Sequence, residues 1–219
     1  MSIHAFRASS ARHRRPDSYR GLPPLRGFLN SVETMNATAE PMRSTDWPEK
    51  ATAAGGTSPT GVGRQAFREA MSRIASSVHI VTTDGFAGRC GFTATAFTSV
   101  SDDPPTVLVC LNRSSPQNPV FKANGTFGVN TLAAADRPLA DVFAGRTGLH
   151  MAERFRHGDW RPLAGGAPAL ASARVALDCR LTSYVEAATH TILFGLVTDV
   201  VFGDPNPSLL YVCRDYRTL

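Results

Sequence analysis

Apolar residues recur at spacings of three and four near residue 64, where Ala66, Phe67, Ala70, Met71 and Ile74 would share one face of a helix. The spacing predicts a helix over 64–76 that covers a sheet. Beyond it the period shortens. Residues 78–83 are short and β-branched, Asp84, Gly85 and Gly88 supply turn chemistry, and 90–101, a mixture of Phe, Thr and Val, reads as the returning strand of a hairpin. Pro104 and Pro105 break the chain. Residues 106–112 are apolar almost without interruption and read as a buried strand, and 126–132 as another. Residues 173–186 and 191–202 form a long candidate pair around 187–190, and 209–213 closes the pattern. Helical segments fit only near 118–123, 137–144 and 150–155. Mostly antiparallel β structure with a few short helices predicts a closed or partly closed barrel.

Residues 1–62 carry no such period and are rich in Pro, Gly, Ser, Thr, Ala and Arg, so they read as a disordered extension ahead of one domain at 63–219. Six Arg and one Asp fall in the first 26 residues, which equals the formal excess of +5 for the whole chain. A pI near 9.4 therefore belongs to the extension, and the rest has no basic stripe with interleaved aromatics to bind nucleic acid. Three readings of the extension stand side by side: a start at Met35 or Met42, an acid-poor transit peptide interrupted by Pro16, Pro23 and Pro24, and a tethering arm for a partner. No apolar run is long enough to span a bilayer or to follow the basic residues as a secretory signal, so a cytoplasmic protein without membrane partners is expected.

Cys90, Cys110, Cys179 and Cys213 are widely spaced and form no cluster at metal-ligand spacing; reduced thiols and no metal are expected. Cys110 and Cys179 lie in strand patterns and read as small core hydrophobes. Neither GxGxxG after a strand nor GxxxxGK[ST] occurs, and HExxH and GxSxG are absent, which argues against Rossmann, P-loop and common hydrolase chemistry.

The distinctive run is Gly91-Phe92-Thr93-Ala94-Thr95-Ala96-Phe97-Thr98-Ser99-Val100-Ser101, followed by Pro104-Pro105 and Leu108-Val109-Cys110-Leu111-Asn112-Arg113-Ser114-Ser115. With Phe127-Gly128-Val129-Asn130-Thr131-Leu132 and Ala188-Thr189-His190-Thr191-Ile192-Leu193-Phe194-Gly195, it resembles the flavin reductase family of two-component monooxygenase systems over 64–219. Asp84-Gly85 with Gly88-Arg89 and Leu177-Asp178-Cys179-Arg180 are most similar to the branch that serves pyrimidine utilisation. The resemblance implies a mainly β fold, the FMN-binding split β-barrel, antiparallel and of Greek-key type. It also implies a homodimer that reduces FMN, or FAD, with NADH and hands reduced flavin to a flavin-dependent monooxygenase. An FMN-binding electron carrier or sensory module on the same barrel, and a noncatalytic interaction protein using its long arm, are the alternatives.

Flavin recognition needs donors for a phosphate and for the isoalloxazine edge, which short hydroxyls and backbone amides supply. Thr93, Thr95, Ser99 and Ser101 would alternate along one face of a single strand; alternating Thr and Ser is otherwise the solvent face of a sheet. The resemblance implies flavin contacts from Thr93, Ala94, Thr95, Ser99, Val100 and Ser101, from Asn112 and Ser115, and from Asn130, Thr131 and Leu132. It implies that His190, at the turn between two long strands, lies at the nicotinamide as the catalytic residue, and that Arg214 and Tyr216 bind the nicotinamide nucleotide. Read alone, His190 is a structural hydrogen-bonder and 214–217 a solvated terminus. Ala188 stands where the family has glycine, and glycine reaches positive φ without penalty.

Overall fold

The computed structural model describes residues 61–219, so the extension expected at 1–62 lies outside the described residues except for its last two. Helix α1 (Arg64–Ser72) stops short of the predicted end at Ser76. It does not cover a sheet: none of its residues is buried, and Phe67, Met71 and Ile74 are 58%, 48% and 55% exposed. What holds it is its other side, where Glu69 pairs with Arg214 at 2.6 Å and the Ser72 carbonyl accepts from the Cys213 amide.

Strands β1 (Ser76–Ser77), β2 (His79–Thr83), β3 (Cys90–Ala94), β4 (Phe97–Asp102), β5 (Pro105–Asn112) and β6 (Thr126–Thr131) follow, with α2 (Asn118–Asn124) between the last two. Helices α3 (Arg137–Phe143) and α4 (Met151–Arg154) and a ribbon of β7 (Trp160–Pro162) and β8 (Pro168–Leu170) precede the long hairpin β9 (Val175–Ala187) and β10 (His190–Phe202). The chain closes with β11 (Leu209–Val212) and β12 (Asp215–Thr218). Seven strands form one antiparallel sheet in the order β3-β2-β6-β9-β10-β5-β4, and β1-β11-β12 form a second. Because β5 and β6 are separated by the β9–β10 hairpin, the connection through α2 crosses over it.

The predicted strand 90–101 is two strands. β3 pairs with β2 at one edge of the sheet and β4 with β5 at the opposite edge, yet only Thr95 and Ala96 separate them. The three Cα steps from Ala94 to Phe97 reach roughly 11 Å at full extension, so the sheet must roll until its edges approach. β3 and β4 do not pair with each other. The result is a barrel split along one seam, with the Thr95–Ala96 corner as the covalent crossing.

Val81, Val107, Val109, Leu111, Phe127 and Leu193 fill the barrel. The outer face of β2 is covered as well: Ile80 packs with Leu139, Phe143, Leu209 and Tyr216, so every residue of β2 is buried. β5 is buried on one face only, because Leu108 and Cys110 alternate outward and are half-buried. The unbroken apolar run had concealed that alternation, and Cys110 is therefore not a core residue. Cys179 is, with a thiol that burial pushes up to about 12. At Gly195 a side chain is excluded: its Cβ would collide with the buried ring of Phe127 at a bulge in the β9–β10 ladder.

Candidate functional site

The corner organises the site. Thr95 and Ala96 are exposed, and although the Ala96 carbonyl accepts from the Cys110 amide of β5, the amides of both residues have no hydrogen-bond partner among the described residues. On one side of Thr95 a cavity of about 310 Å³ brings Thr93, Ala94 and Thr95 together with Cys110, Asn112, Ser115 and His190. The pairing register explains this convergence: β10 lies antiparallel to β5 with His190 opposite Asn112, so the start of β10 meets the end of β5 beside the corner. Five of the eleven residues expected at the flavin thus share one groove with the expected catalytic histidine.

On the other side, Thr93, Ala94 and Thr95 also line a cavity of about 200 Å³ with Arg146, Tyr211 and Tyr216. A third cavity, of about 390 Å³, reaches from Thr95 and Ala96 past Tyr211 to Arg214 and Met71. Tyr216 is not part of a solvated tail: it sits on β12, a strand the polar sequence 214–217 does not announce, and is 6% exposed. Burial raises its phenol pKa, Asp141 adds to the rise, and the hydroxyl lies 3.2 Å from the Asp141 carboxylate that also holds Arg146 at 2.8 Å. Arg137 and Arg146 both approach the Tyr216 ring, at 5.3 and 5.6 Å. Arg146 and Tyr211 carry no sequence signal beyond their residue types, and only folding brings them to the corner.

Several expected contacts are already committed elsewhere. Thr93 donates to the Ala140 carbonyl at 2.7 Å. Asn130 is fully buried; its amide nitrogen donates to the Ile80 carbonyl at 3.0 Å, and its oxygen accepts from the Leu170 amide at 2.8 Å. Thr131 bonds His79, and Leu132 has no exposed surface. Asn130 and Leu132 therefore present no side-chain atom to a ligand in this chain. Ser99 and Val100 are exposed and Ser101 is half-buried on β4, beyond the corner and past a bulge between Ser99 and Ser101, so the single hydroxyl-bearing face does not exist. In the loop after β5, the amides of Arg113, Ser114 and Ser115 donate to Thr189, Asn112 and Asn112 respectively. The Ser114 hydroxyl also donates to Asn112 Oδ1, at 2.9 Å, and Ser115 Oγ accepts from the Gln117 amide, so the Ser115 O–H remains as the uncommitted donor.

His190 is exposed, and its Nδ1 lies 2.9 Å from Thr189 Oγ1. Ala188 takes the conformation suited to glycine, with φ at +48°, so the turn keeps its shape without the residue that would adopt it freely. His79 lies beneath the corner, 4.6 Å from Phe97 between ring centroids, and burial lowers its pKa to about 4. Cys110 faces the groove with a thiol pKa raised by burial. Among the described residues, no group of His, Cys, Asp and Glu side chains is placed to hold a metal ion, and no helix is long and apolar enough to cross a membrane.

A split antiparallel barrel with an open groove at its seam is the architecture of flavin reductases, and the chain belongs to that family: residues 71–219 match the flavin reductase like domain. Its character is RutF-like. It is 51% identical over 161 residues, 74% of this chain and 92% of the relative, to FMN reductase (NADH) RutF 2 of Methylorubrum extorquens (strain PA1). It is 47% identical over 156 residues, 71% of this chain and 88% of the relative, to FMN reductase (NADH) RutF of Stutzerimonas stutzeri (strain A1501). Among solved structures, a flavin reductase homologue from Haemophilus somnus 129PT superposes with a TM-score of 0.69 at 39% identity, covering 72% of this chain and all of that one (100%). The NADH:FAD oxidoreductase SgcE6 of Streptomyces globisporus C-1027, in complex with NAD and FAD fragments, superposes at 0.66 with 29% identity, over 76% of this chain and 97% of its own.

Proposed function

We propose that this protein is an NADH-dependent FMN reductase that supplies diffusible reduced flavin to a partner monooxygenase, in pyrimidine catabolism. The observation that carries the reading is the Thr95–Ala96 corner: unpaired backbone donors at a seam, with His190 on one side and Arg146, Tyr211 and Tyr216 on the other. An isoalloxazine edge offers acceptors that such donors suit, so the residues present fit a flavin. When bound, the flavin supplies the hydride acceptor and the reduced nicotinamide the donor. The chain binds and orients. Amides at 95 and 96 with the Thr95 hydroxyl would hold the ring edge, and the Ser115 hydroxyl would serve the phosphate end. His190 would set the nicotinamide over the groove, while Arg146 and Arg214 would meet the nucleotide's phosphates beside Tyr216.

A homodimer is part of the same reading. The outward row of β5 and β10 sets Leu108 opposite Phe194 and Cys110 opposite Ile192, all half-buried, with Val185 37% exposed opposite Ile192 on β9. A second copy seated there would cover an apolar face that one copy leaves wet. The similarity to proteins named FMN reductase (NADH) supports the choice of FMN and NADH.

The deciding experiment follows loss of reduced-nicotinamide absorbance with each pairing of NADH or NADPH with excess FMN or FAD. Turnover fastest with NADH and FMN is expected. Protein that stays yellow and oxidises no NADH would replace this reading with an electron carrier or sensor.

A further inference from the structure

We infer that Arg113, Glu186 and Lys122 form a clamp that positions His190 by gripping the turn on which it stands; the inference rests on the proposed role of His190 at the nicotinamide. The grip acts on both flanks of the histidine. Upstream, Arg113 donates its backbone N–H to the Thr189 carbonyl at 3.0 Å and its guanidinium to the Ala188 carbonyl at 3.2 Å. Thr189 is the residue whose hydroxyl meets His190 Nδ1, so Arg113 anchors the group that orients the ring. Downstream, Thr191 is fully buried; its hydroxyl donates to Glu186 Oε1 at 3.2 Å and accepts from Asn118 Nδ2 at 2.8 Å.

Glu186 joins the two flanks. Its Oε1 contacts Lys122 Nζ and its Oε2 contacts Arg113 Nε, so one carboxylate ties the loop after β5 and helix α2 to the end of β9. The Lys122 ammonium also lies 4.5 Å from the Tyr184 ring, which fixes the far end of the bridge. The Lys122 hydrogen bond holds the Glu186 pKa below the ordinary carboxylate value, so the bridge is charged at working pH.

Such a device is needed because of Ala188. With φ at +48°, an alanine in the left-handed region lacks glycine's ease there, and left alone the turn would relax toward negative φ. Relaxation would swing Thr189 and His190 relative to Asn112 and the groove. A guanidinium on the Ala188 carbonyl, itself pinned by Glu186, opposes that swing. None of the three residues lines the cavity that holds Thr95 and His190, so they act through the turn and are positioning residues.

The test uses the full-length protein with Glu186→Gln, Glu186→Ala and His190→Ala, singly and combined. Each Glu186 variant should lower kcat with NADH by roughly tenfold, as expected of a reacting group displaced by an ångström or less, with FMN affinity held within about twofold. Glu186→Ala added to His190→Ala should cost nothing further, and Ala188→Gly should restore much of the loss in Glu186→Ala. The His190 ring resonances should be sharp in the native protein and broadened or doubled in Glu186→Ala. Unaltered kinetics and ring resonances in both Glu186 variants would overturn the clamp, as would a loss that multiplies with that of His190→Ala. If His190→Ala were kinetically silent while Glu186→Ala still broadened the ring resonances, the clamp would stand and the nicotinamide role of His190 would fall.

Discussion

Two hairpins flank the corner, and they hold their functional side chains by opposite means. The β11–β12 hairpin carries Tyr216 into the core beside Ile80, Leu139 and Phe143, and its turn residues Cys213 and Arg214 sit at φ +51° and +61°. The tip of β9–β10 carries His190 in solvent, and its strained Ala188 is held by surface charges. Burial fixes one wall of the site; ion pairs at the surface, partly open to solvent and so weakened by salt, fix the other. The wall that carries His190 is thus the one that can be moved cheaply, while the aromatic wall is part of the fold's stability.

Substitutions should expose this difference. The largest effect belongs to Tyr216→Ala, which removes a buried aromatic and should cost about 3–5 kcal/mol of unfolding free energy, whereas His190→Ala should leave the denaturation midpoint where it is. Next comes acid. His79 beneath the corner is neutral in the folded protein, its pKa lowered from 6.5 to about 4 by burial, so the unfolded chain binds more protons between those values. Stability is full above the upper value and falls with pH through the window, by about 3 kcal/mol in total. Chemical denaturation at neutral pH and at the bottom of the window should record that slope, and His79→Gln should flatten it. Gly195→Ala, which forces a methyl against Phe127, should lose about 1–3 kcal/mol and would show that the β9–β10 hairpin is core-built at its waist though surface-held at its tip.

Smaller again is the kinetic loss from His190→Ala, about tenfold in reduction rate for a group that positions the nicotinamide, with flavin affinity unchanged; if steady-state kinetics are unaltered, its role at the nicotinamide is wrong. The smallest is Ala188→Gly, where about 1 kcal/mol of relieved left-handed strain is nearly offset by about 0.5–1 kcal/mol of added freedom in the unfolded chain. A destabilisation by the full entropic term, about 0.5–1 kcal/mol, would mean that Ala188 is not strained in solution.

Periodicity read from the sequence located β2, β5, β6, β9, β10 and β11 and all four helices, because each is a local run with one dominant period. It missed the corner, since Thr and Phe continue across 93–97 with strand-forming composition and no Gly or Pro marks the break. Closure of a sheet onto itself is not written in any short window. It missed β12 because a strand made of Asp215, Tyr216, Arg217 and Thr218 looks like a solvated end until β11 pairs with it. The same limit applied to the site. Thr95, Asn112, Ser115 and His190 line one groove, but Asn130 is indistinguishable from them in sequence; only the fold shows its amide already spent on Ile80 and Leu170. The apolar face of α1 was legible as a face, while its lack of a cover was not.

The split seam carries one more consequence. Unpaired strand edges are adhesive, and proteins that keep them usually blunt them with charge, proline or a covering element. Here β3 and β4 end beside each other with free amides between them, and the side chains at that spot, Thr95, Ala96 and the half-buried Phe97, do little to repel another chain. A ligand lying in the groove would serve as the missing cover. On the proposed function, surrender of flavin after each cycle would uncover that edge each time, and colloidal stability in storage should then track flavin occupancy as closely as it tracks the melting temperature.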